Sequence, residues 1–472
     1  MPKYTKTLAS FVAGLEWGHL PVEVIDKIKT HVLDTLAVSL GASQSPQTLQ
    51  TLKVIGAMGG APDCTVLGHS LKTTVLDAAF LNSTMGHVLD FDDVHKFLHP
   101  GAAIVPAALA VGEQVQADGK RLILGLVAGY ETSIRVSLAA GVQHRNRGYS
   151  PTGTCNHFGA AAAAACLLGL EPDTVVSAFG ISGNQAGGLT QHQYGGGHTK
   201  HLNSASAVRA GILGALLARE GFRGPTDIIE GELGFLNVLS DGGAPNHLID
   251  GLFEEFTFMW TNLKPYPSCR QGHGAVDLAL QAVHEHGVEP GMIEKITLYT
   301  YPFAYAPWFR SAEPPGNEVE AALRTPFALA TAFIYGKITL ESFTPSRIEN
   351  PEILSLLERI NIVKDEQLAA HWPDKRSVRL EIALRDGRQL LLVTDNPRGS
   401  ADYPMEFDDV ALKFSDLAAP IIPKDRIEAV IGRVRRLENE DDIPGLMALL
   451  AVDPALDQDQ PDQPVPVLAG ER

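Results

Sequence analysis

The chain is 472 residues long, with 45% hydrophobic and 20% charged residues. This is the profile of a globular protein too long for one ordinary core, so two domains are expected. A formal net charge of -17, with no basic patch to offset it, excludes a nucleic-acid partner; an acidic metabolite is compatible where the few cations are focused in one cleft.

Cys64, Cys155, Cys166 and Cys269 are scattered with no C-x-x-C pair, which excludes a zinc ribbon and argues against an iron–sulfur centre. The opening MPKYTKTLASF lacks a signal-peptide core, and no apolar run reads as a membrane span. A cytoplasmic protein with reduced thiols and no membrane contact is therefore expected.

Up to about residue 260 the pattern is helical. Helices are expected near 5–16, then after Pro21 with Val24, Ile25, Ile28, Val32, Leu33 and Leu36 at helical spacing, and near 74–90, 101–117 and 120–141. Ala160 to Ala165 forms a small-residue helix suited to close packing, with Gly169 as its stop signal, and another helix is expected near 204–220. After about residue 265 strands appear: Ile293 to Tyr301, then Val378, Leu380, Ile382 and Leu384 alternating with polar or small residues, and Asp386-Gly387 turning into Gln389 to Thr394. Helices near 271–286 and 326–336 accompany them, and helical patterning returns from Phe407 to about Leu450.

The expected fold is mostly α with an α+β lid. A large helical domain takes up 1–265, a smaller α+β domain at 266–400 is inserted in it or follows it, helical patterning occupies 401–451, and a Pro- and Asp-rich tail at 452–472 is disordered.

The densest chemistry lies in DFDDVHKFLHP, Asp90 to Pro100, with His87 one turn upstream. Carboxylates and imidazoles beside a core are paired, metal-bound or catalytic. Three uses stay open: divalent-metal ligation, a structural role in which Asp92 or Asp93 caps the next element and His87 sits satisfied in the core, or acid/base and substrate-orienting work. The spacing matches no metal motif. His99-Pro100 precedes a helix start, which suits a general acid or a carboxylate anchor.

Arg145, Arg147 and Tyr149 form either a carboxylate clamp or a solvated loop. Lys200 follows the Gly-rich YGGGHT before a helix opened by Asn203 or Ser204 and is not part of a P-loop. At the domain junction, Lys264, Cys269, Arg270 and His273 precede a helix, and ligand clefts favour such junctions. Cys269 reads as a buried thiol before it reads as a nucleophile. No G-x-S-x-G elbow or Rossmann fingerprint occurs, which disfavours hydrolase and dehydrogenase readings.

The order of segments LASFVAGL, VLDTLAVSLGA, GHVLDFDDVH, HPGAAIVPAALAVGE, GTCNHFGAAAAAACLLGL, TKHLNSASAVRAGILGALLAREGF, LKPYPSCRQGH and ALKFSDLAAPII resembles the MmgE/PrpD family over essentially the whole chain before the tail. The resemblance implies an all-helical domain from both ends of the chain with an inserted lid, a homodimer, and chemistry without metal or other cofactor on small di- or tricarboxylates. The family's reactions are 2-methylcitrate dehydration, cis-aconitate decarboxylation and iminodisuccinate epimerisation. Matching motifs place the family's active-site aspartate on Asp90, its histidine before proline on His99 and its lysines on Lys200 and Lys264.

The chain departs from the family's decarboxylases at Ser150 and Cys269, where they carry histidines, and at Val94, where they carry threonine. A dehydratase-like lyase is the first expectation and an epimerase the second; a non-catalytic carboxylate binder of the same fold is the third. In the expected site Asp90 orients His99, and His99, Tyr149 and Lys200 move protons. Asp93, Arg145, Lys264, Arg270 and His273 bind carboxylates.

Overall fold

Apolar residues at helical spacing build the principal helices of the N-terminal part: α1 (Tyr4–Gly14), α2 (Val22–Gly41), α3 (Val75–Val88), α4 (Gly101–Gln114), α5 (Gly119–Asn146), α6 (Asn156–Leu168), α7 (Pro172–Gly183) and α8 (Thr199–Arg219). The computed structural model describes residues 3–195, 197–370, 372 and 375–452. The expected disordered tail therefore lies, from residue 453 on, outside the described residues. The small-residue helix α6 is central and packs against α4, α5, α7 and α8. The reason is steric: a Cβ on Gly159 would lie 2.6 Å from Ser133 Cβ and 2.8 Å from the Gly129 carbonyl oxygen, so only glycine allows α5 and α6 this close. Gly169 ends α6 in the left-handed conformation, φ 65°, as its sequence position predicts.

Helix α5 runs past the expected end at residue 141, but through a break at Gly141 (φ 67°, ψ -170°). It is also long and apolar enough to cross a membrane by composition, against the expectation that no run reaches that length, yet most of it is buried inside the bundle. Its polar interior residues explain the packing. Arg135 bonds Glu131 at 2.9 Å and the Asp250 and Glu255 carbonyls, while Glu131 accepts from the Phe258 amide. A core helix thereby ties down the loop that leads to the lid.

The lid contains α9 (His273–His284), β1 (Ile293–Thr300), α10 (Thr325–Tyr335), β2 (Ile360–Lys364), β3 (Val378–Leu384) and β4 (Gln389–Thr394). Strand order is β2-β1-β3-β4, with β2 parallel to β1 and the other pairs antiparallel. The β3–β4 hairpin turns at Asp386-Gly387 as expected, with Gly387 at φ 88°. Strand β2 had no alternation strong enough to predict it. The chain then returns to the bundle through α11 (Phe407–Ala418), α12 (Lys424–Arg435) and α13 (Ile443–Leu449), with α11 against α2. Buried apolar side chains form two clusters, one from residues 4–263 and 405–450 and one from 275–392. The protein is mostly α-helical, with the smaller mixed sheet forming an inserted domain.

Candidate active site

The segment from Leu89 to Pro100, between α3 and α4, is a turn rather than a helix, so its three carboxylates point apart. Asp90 adopts φ 49°, a left-handed conformation that aspartate tolerates better than most residues. Its Oδ1 lies 2.6 Å from Lys200 Nζ and 2.7 Å from Lys264 Nζ, and Lys264 also donates to the Asp90 carbonyl at 2.6 Å. Burial alone would raise this carboxyl, but the Lys200 and Lys264 charges outweigh it and hold Asp90 far below the ordinary range. Burial likewise works against the Lys200 ammonium, and Asp90 reverses the effect. Lys200 stands in the first turn of α8, which begins at Thr199, earlier than the expected Asn203 or Ser204.

Asp92 is fully buried, and its Oδ2 accepts from Nδ1 of His87 at 2.9 Å and of His99 at 3.0 Å. The orienting carboxylate of His99 is therefore Asp92, not the expected Asp90, which is occupied by the lysines. Burial would raise Asp92, but the two imidazoles hold it well below the usual range. Burial lowers His87 to about 4 despite Asp92, so His87 is a neutral donor. The His87 and His99 rings are 4.8 Å apart. The backbone of His99 is fixed by Thr152, which accepts from its amide at 3.1 Å, and by Asn156, which donates to its carbonyl at 3.0 Å. His201 bonds the His87 carbonyl at 3.1 Å and completes the wall.

Asp93, expected to bind substrate, is instead structural. It is fully buried, with His31 Nδ1 at 2.7 Å, the Tyr130 hydroxyl at 2.8 Å and the Gly101 amide at 2.7 Å. It caps the helix that follows His99, the bland alternative left open for this cluster. His31 and Tyr130 carry no local sequence signal, because each lies on a helix whose pattern only says buried.

A second contact invisible in the sequence comes from the far end of the chain. Lys413 on α11 donates to Asp34 at 2.7 Å, to the Phe91 carbonyl at 2.8 Å and to the Lys264 carbonyl at 3.2 Å, with its ammonium 3.6 Å from the Phe91 ring centroid. It thereby fastens the segment bearing Asp90 and Asp92 to the one bearing Lys264. Burial pushes Asp34 up to about 6 despite Lys413.

The remaining expected residues divide. Cys269 is close enough for the Asp90, Lys264 and Lys200 charges to act on its thiol, which burial pushes up to about 11; it is a neutral thiol at the site. Arg270 is 3% exposed and bonds the Arg398 and Pro397 carbonyls at 2.6 and 3.1 Å, Asn262 at 3.3 Å and His273 Nδ1 at 3.1 Å. His273 places Nε2 3.1 Å from the Ser268 carbonyl, and burial holds its pKa well below normal. Both hold the lid junction together, and both ring nitrogens of His273 are used. This replaces their expected role as carboxylate ligands.

Tyr149 pairs with Leu189 and stacks on His144 with centroids 5.0 Å apart; no contact with Asp90 or His99 is seen among the described residues. Arg145 lies near His192, whose protonation it and Lys200 both oppose, although burial is the larger effect. Arg147 makes an exposed ion pair with Asp241. Val94 is buried in a backbone bridge to Asn262, and Ser150 starts a short helix. Of the three departure positions, Cys269 is the one whose electrostatics tie it to the Asp90–lysine cluster.

His87, Asp92 and His99 present ligand atoms within 4.8 Å of one another, a set that could take a divalent ion. Both Nδ1 atoms, however, meet the same oxygen at 2.9 and 3.0 Å. Two ligands about 2.0–2.1 Å from a tetrahedral zinc would stand roughly 3.3 Å apart. The donor set is therefore arranged as a hydrogen-bonded carboxylate–imidazole triad.

The MmgE/PrpD N-terminal domain matches residues 6–248 and the MmgE/PrpD C-terminal domain residues 266–438. The cis-aconitate decarboxylase-like protein oryM of Aspergillus oryzae is 28% identical over 480 residues, covering 95% of this chain and 97% of its own. A cis-aconitate decarboxylase of Aspergillus terreus is 24% identical, covering 94% and 95%. The human cis-aconitate decarboxylase is 26% identical, covering 94% of each. With two family domains matched in order across most of its length, the chain belongs to the MmgE/PrpD family.

Proposed function

We propose that this protein is a lyase that moves a proton at the carbon α to a carboxylate of a small di- or tricarboxylate, in the first place by eliminating water. The juxtaposition that carries the reading is the Asp92-bound imidazole of His99 in the same turn as the Asp90–Lys200–Lys264 ion cluster. In the neutral ring, Nδ1–H donation to Asp92 leaves the lone pair on Nε2, the form a general base needs. Once Nε2 takes the α-proton, Asp92 stabilises the resulting imidazolium. Lys200 and Lys264 share one carboxylate between two ammonium groups, so a substrate carboxylate completes the charge balance and the developing enolate-like charge is neutralised. The departing hydroxide requires a proton donor, a role assigned to Lys200.

Decarboxylation is the second reading, favoured by the names of the relatives. There the C–C bond electrons stay on carbon as carbon dioxide leaves, and protonated His99 returns a proton to that carbon. The test is to incubate the protein with 2-methylcitrate, cis-aconitate and iminodisuccinate in deuterated water and follow each by NMR. Loss of water from 2-methylcitrate supports the first reading, and carbon dioxide release from cis-aconitate supports the second. Deuterium entry without net product replaces both with an epimerase, and no change in any of the three removes the catalytic assignment.

A further inference from the structure

Among the described residues, the lid side of the junction holds a buried charge without a counterion. Arg376, just before β3, is 5% exposed, and among the described residues it makes no ion pair. Its guanidinium reaches one acceptor, the Lys96 carbonyl, from Nη2 at 3.4 Å, while Nε is buried with no partner. Its neighbours Lys375 and Ser377 both bond Asp395. Two further buried groups nearby carry an unpartnered nitrogen, and one of them, Arg270, adds a second positive charge. Arg270, itself 3% exposed, has an unpartnered Nε; burial and then the Arg376 charge lower it to about 9. His95, 4% exposed, has an unpartnered Nδ1. The nearby Asp277 is already engaged by the Tyr266 hydroxyl at 2.7 Å and the Arg398 amide at 2.8 Å.

A buried guanidinium whose Nε has no partner and whose Nη2 has only a long bond to a neutral carbonyl is costly to keep so, and Nε and Nη2 together can grip a carboxylate through two parallel hydrogen bonds. Its place fits a substrate group. Lys96 lies between Asp92 and His99 in the chain, and Arg270 follows Cys269, whose thiol feels the Asp90, Lys264 and Lys200 charges. Tyr301 feels Arg376, Cys269 and Arg270 together, after burial, and so links the two groups.

We propose that Arg376 is a specificity-determining residue that binds one further carboxylate of the substrate, beyond those held by Lys200 and Lys264, and so selects tricarboxylates over dicarboxylates. This rests on the carboxylate-lyase reading above. Bridging from the lid to the turn that carries His99, such a substrate would also fasten the two domains across the site.

The test compares two unreactive ligands by calorimetry, tricarballylate with three carboxylates and succinate with two. In Arg376→Gln, tricarballylate affinity is expected to fall about thirtyfold or more while succinate affinity changes less than about threefold. Arg376→Lys, which keeps the charge but loses the fork, is expected to fall in between. A readout that needs no variant is hydrogen exchange of the wild-type protein: amides around residues 95–98 and 375–378 should slow with tricarballylate and not with succinate. Equal losses for both ligands would make Arg376 a structural tie to Lys96 and overturn the proposal, as would no loss for either. A wild-type protein that binds neither ligand would sink the carboxylate reading itself, and this proposal with it.

Discussion

The two sides of the domain junction treat buried charge in opposite ways. In the helical domain the four acids around the site each have partners: Asp34 has Lys413, Asp90 has two lysines, Asp92 has two imidazoles, and Asp93 has His31 and Tyr130. On the lid, among the described residues, Arg270 bonds only neutral acceptors and Arg376 a single carbonyl. The helical side thus pairs each of its acids within the fold, and under the proposed reading the lid-side cations, which make no ion pair among the described residues, take their balance from the substrate. An acidic chain can hold an anionic substrate in this way without a basic surface.

The sharpest way to break the balanced side is to remove one partner. Lys413→Met leaves Asp34 buried and unpaired, and a loss of about 3–5 kcal/mol is expected by denaturant unfolding. Adding Asp34→Leu should return much of that stability while turnover stays low, because the Phe91 and Lys264 carbonyls have still lost their common donor. His99→Ala and Lys200→Ala are expected to lower turnover by about a hundredfold or more with unchanged circular dichroism; near-wild-type kinetics for both would remove the assignment. Asp93→Asn, which weakens charge-assisted bonds to His31 and Tyr130, is expected to cost about 2–3 kcal/mol of stability.

Acid provides a test of the whole junction. Burial depresses His87 and His144 to about 4, and His95 and His201 to about 3. Between about pH 6.5 and pH 4 the unfolded chain therefore takes up protons that the folded chain refuses, so stability falls as pH falls through that window. Asp34, raised to about 6, acts in the opposite sense over most of it, below about pH 6, because there the folded state holds the extra proton. A melting temperature that is flat from pH 7 to pH 4.5 would contradict these buried neutral histidines. At the small end, Arg147→Ala removes only an exposed pair with Asp241 and should change stability by less than about 1 kcal/mol and turnover not at all.

Much of this was legible in the letters. Helical periodicity located α2, α3 and α4, the Asp386-Gly387 pair located the hairpin, and density of acid and imidazole located the turn from Asp90 to His99. Matching motifs named Lys200 and Lys264, and the structure brings both to one oxygen of Asp90. Strand β2 was missed because its burial does not alternate: Ile360 is buried and Asn361 and Lys364 exposed, but Ile362 and Val363 are both half-buried.

What the sequence determined by itself was the repertoire: helical bundle, inserted sheet, and a short turn rich in proton-transfer groups. What only the tertiary structure decided was the division of labour among three nearly adjacent aspartates. In a turn, the direction of each side chain follows from local φ and ψ, such as the positive φ of Asp90, and not from any period. Their partners, moreover, stand far off in the chain: His31, Tyr130 and Lys200 on other helices, Lys264 in the segment that leads to the lid and, through the backbone, Lys413 on α11. Which carboxylate meets a lysine, an imidazole or a phenol is fixed by how those helices pack, because charges buried at this depth must be matched within about 3 Å.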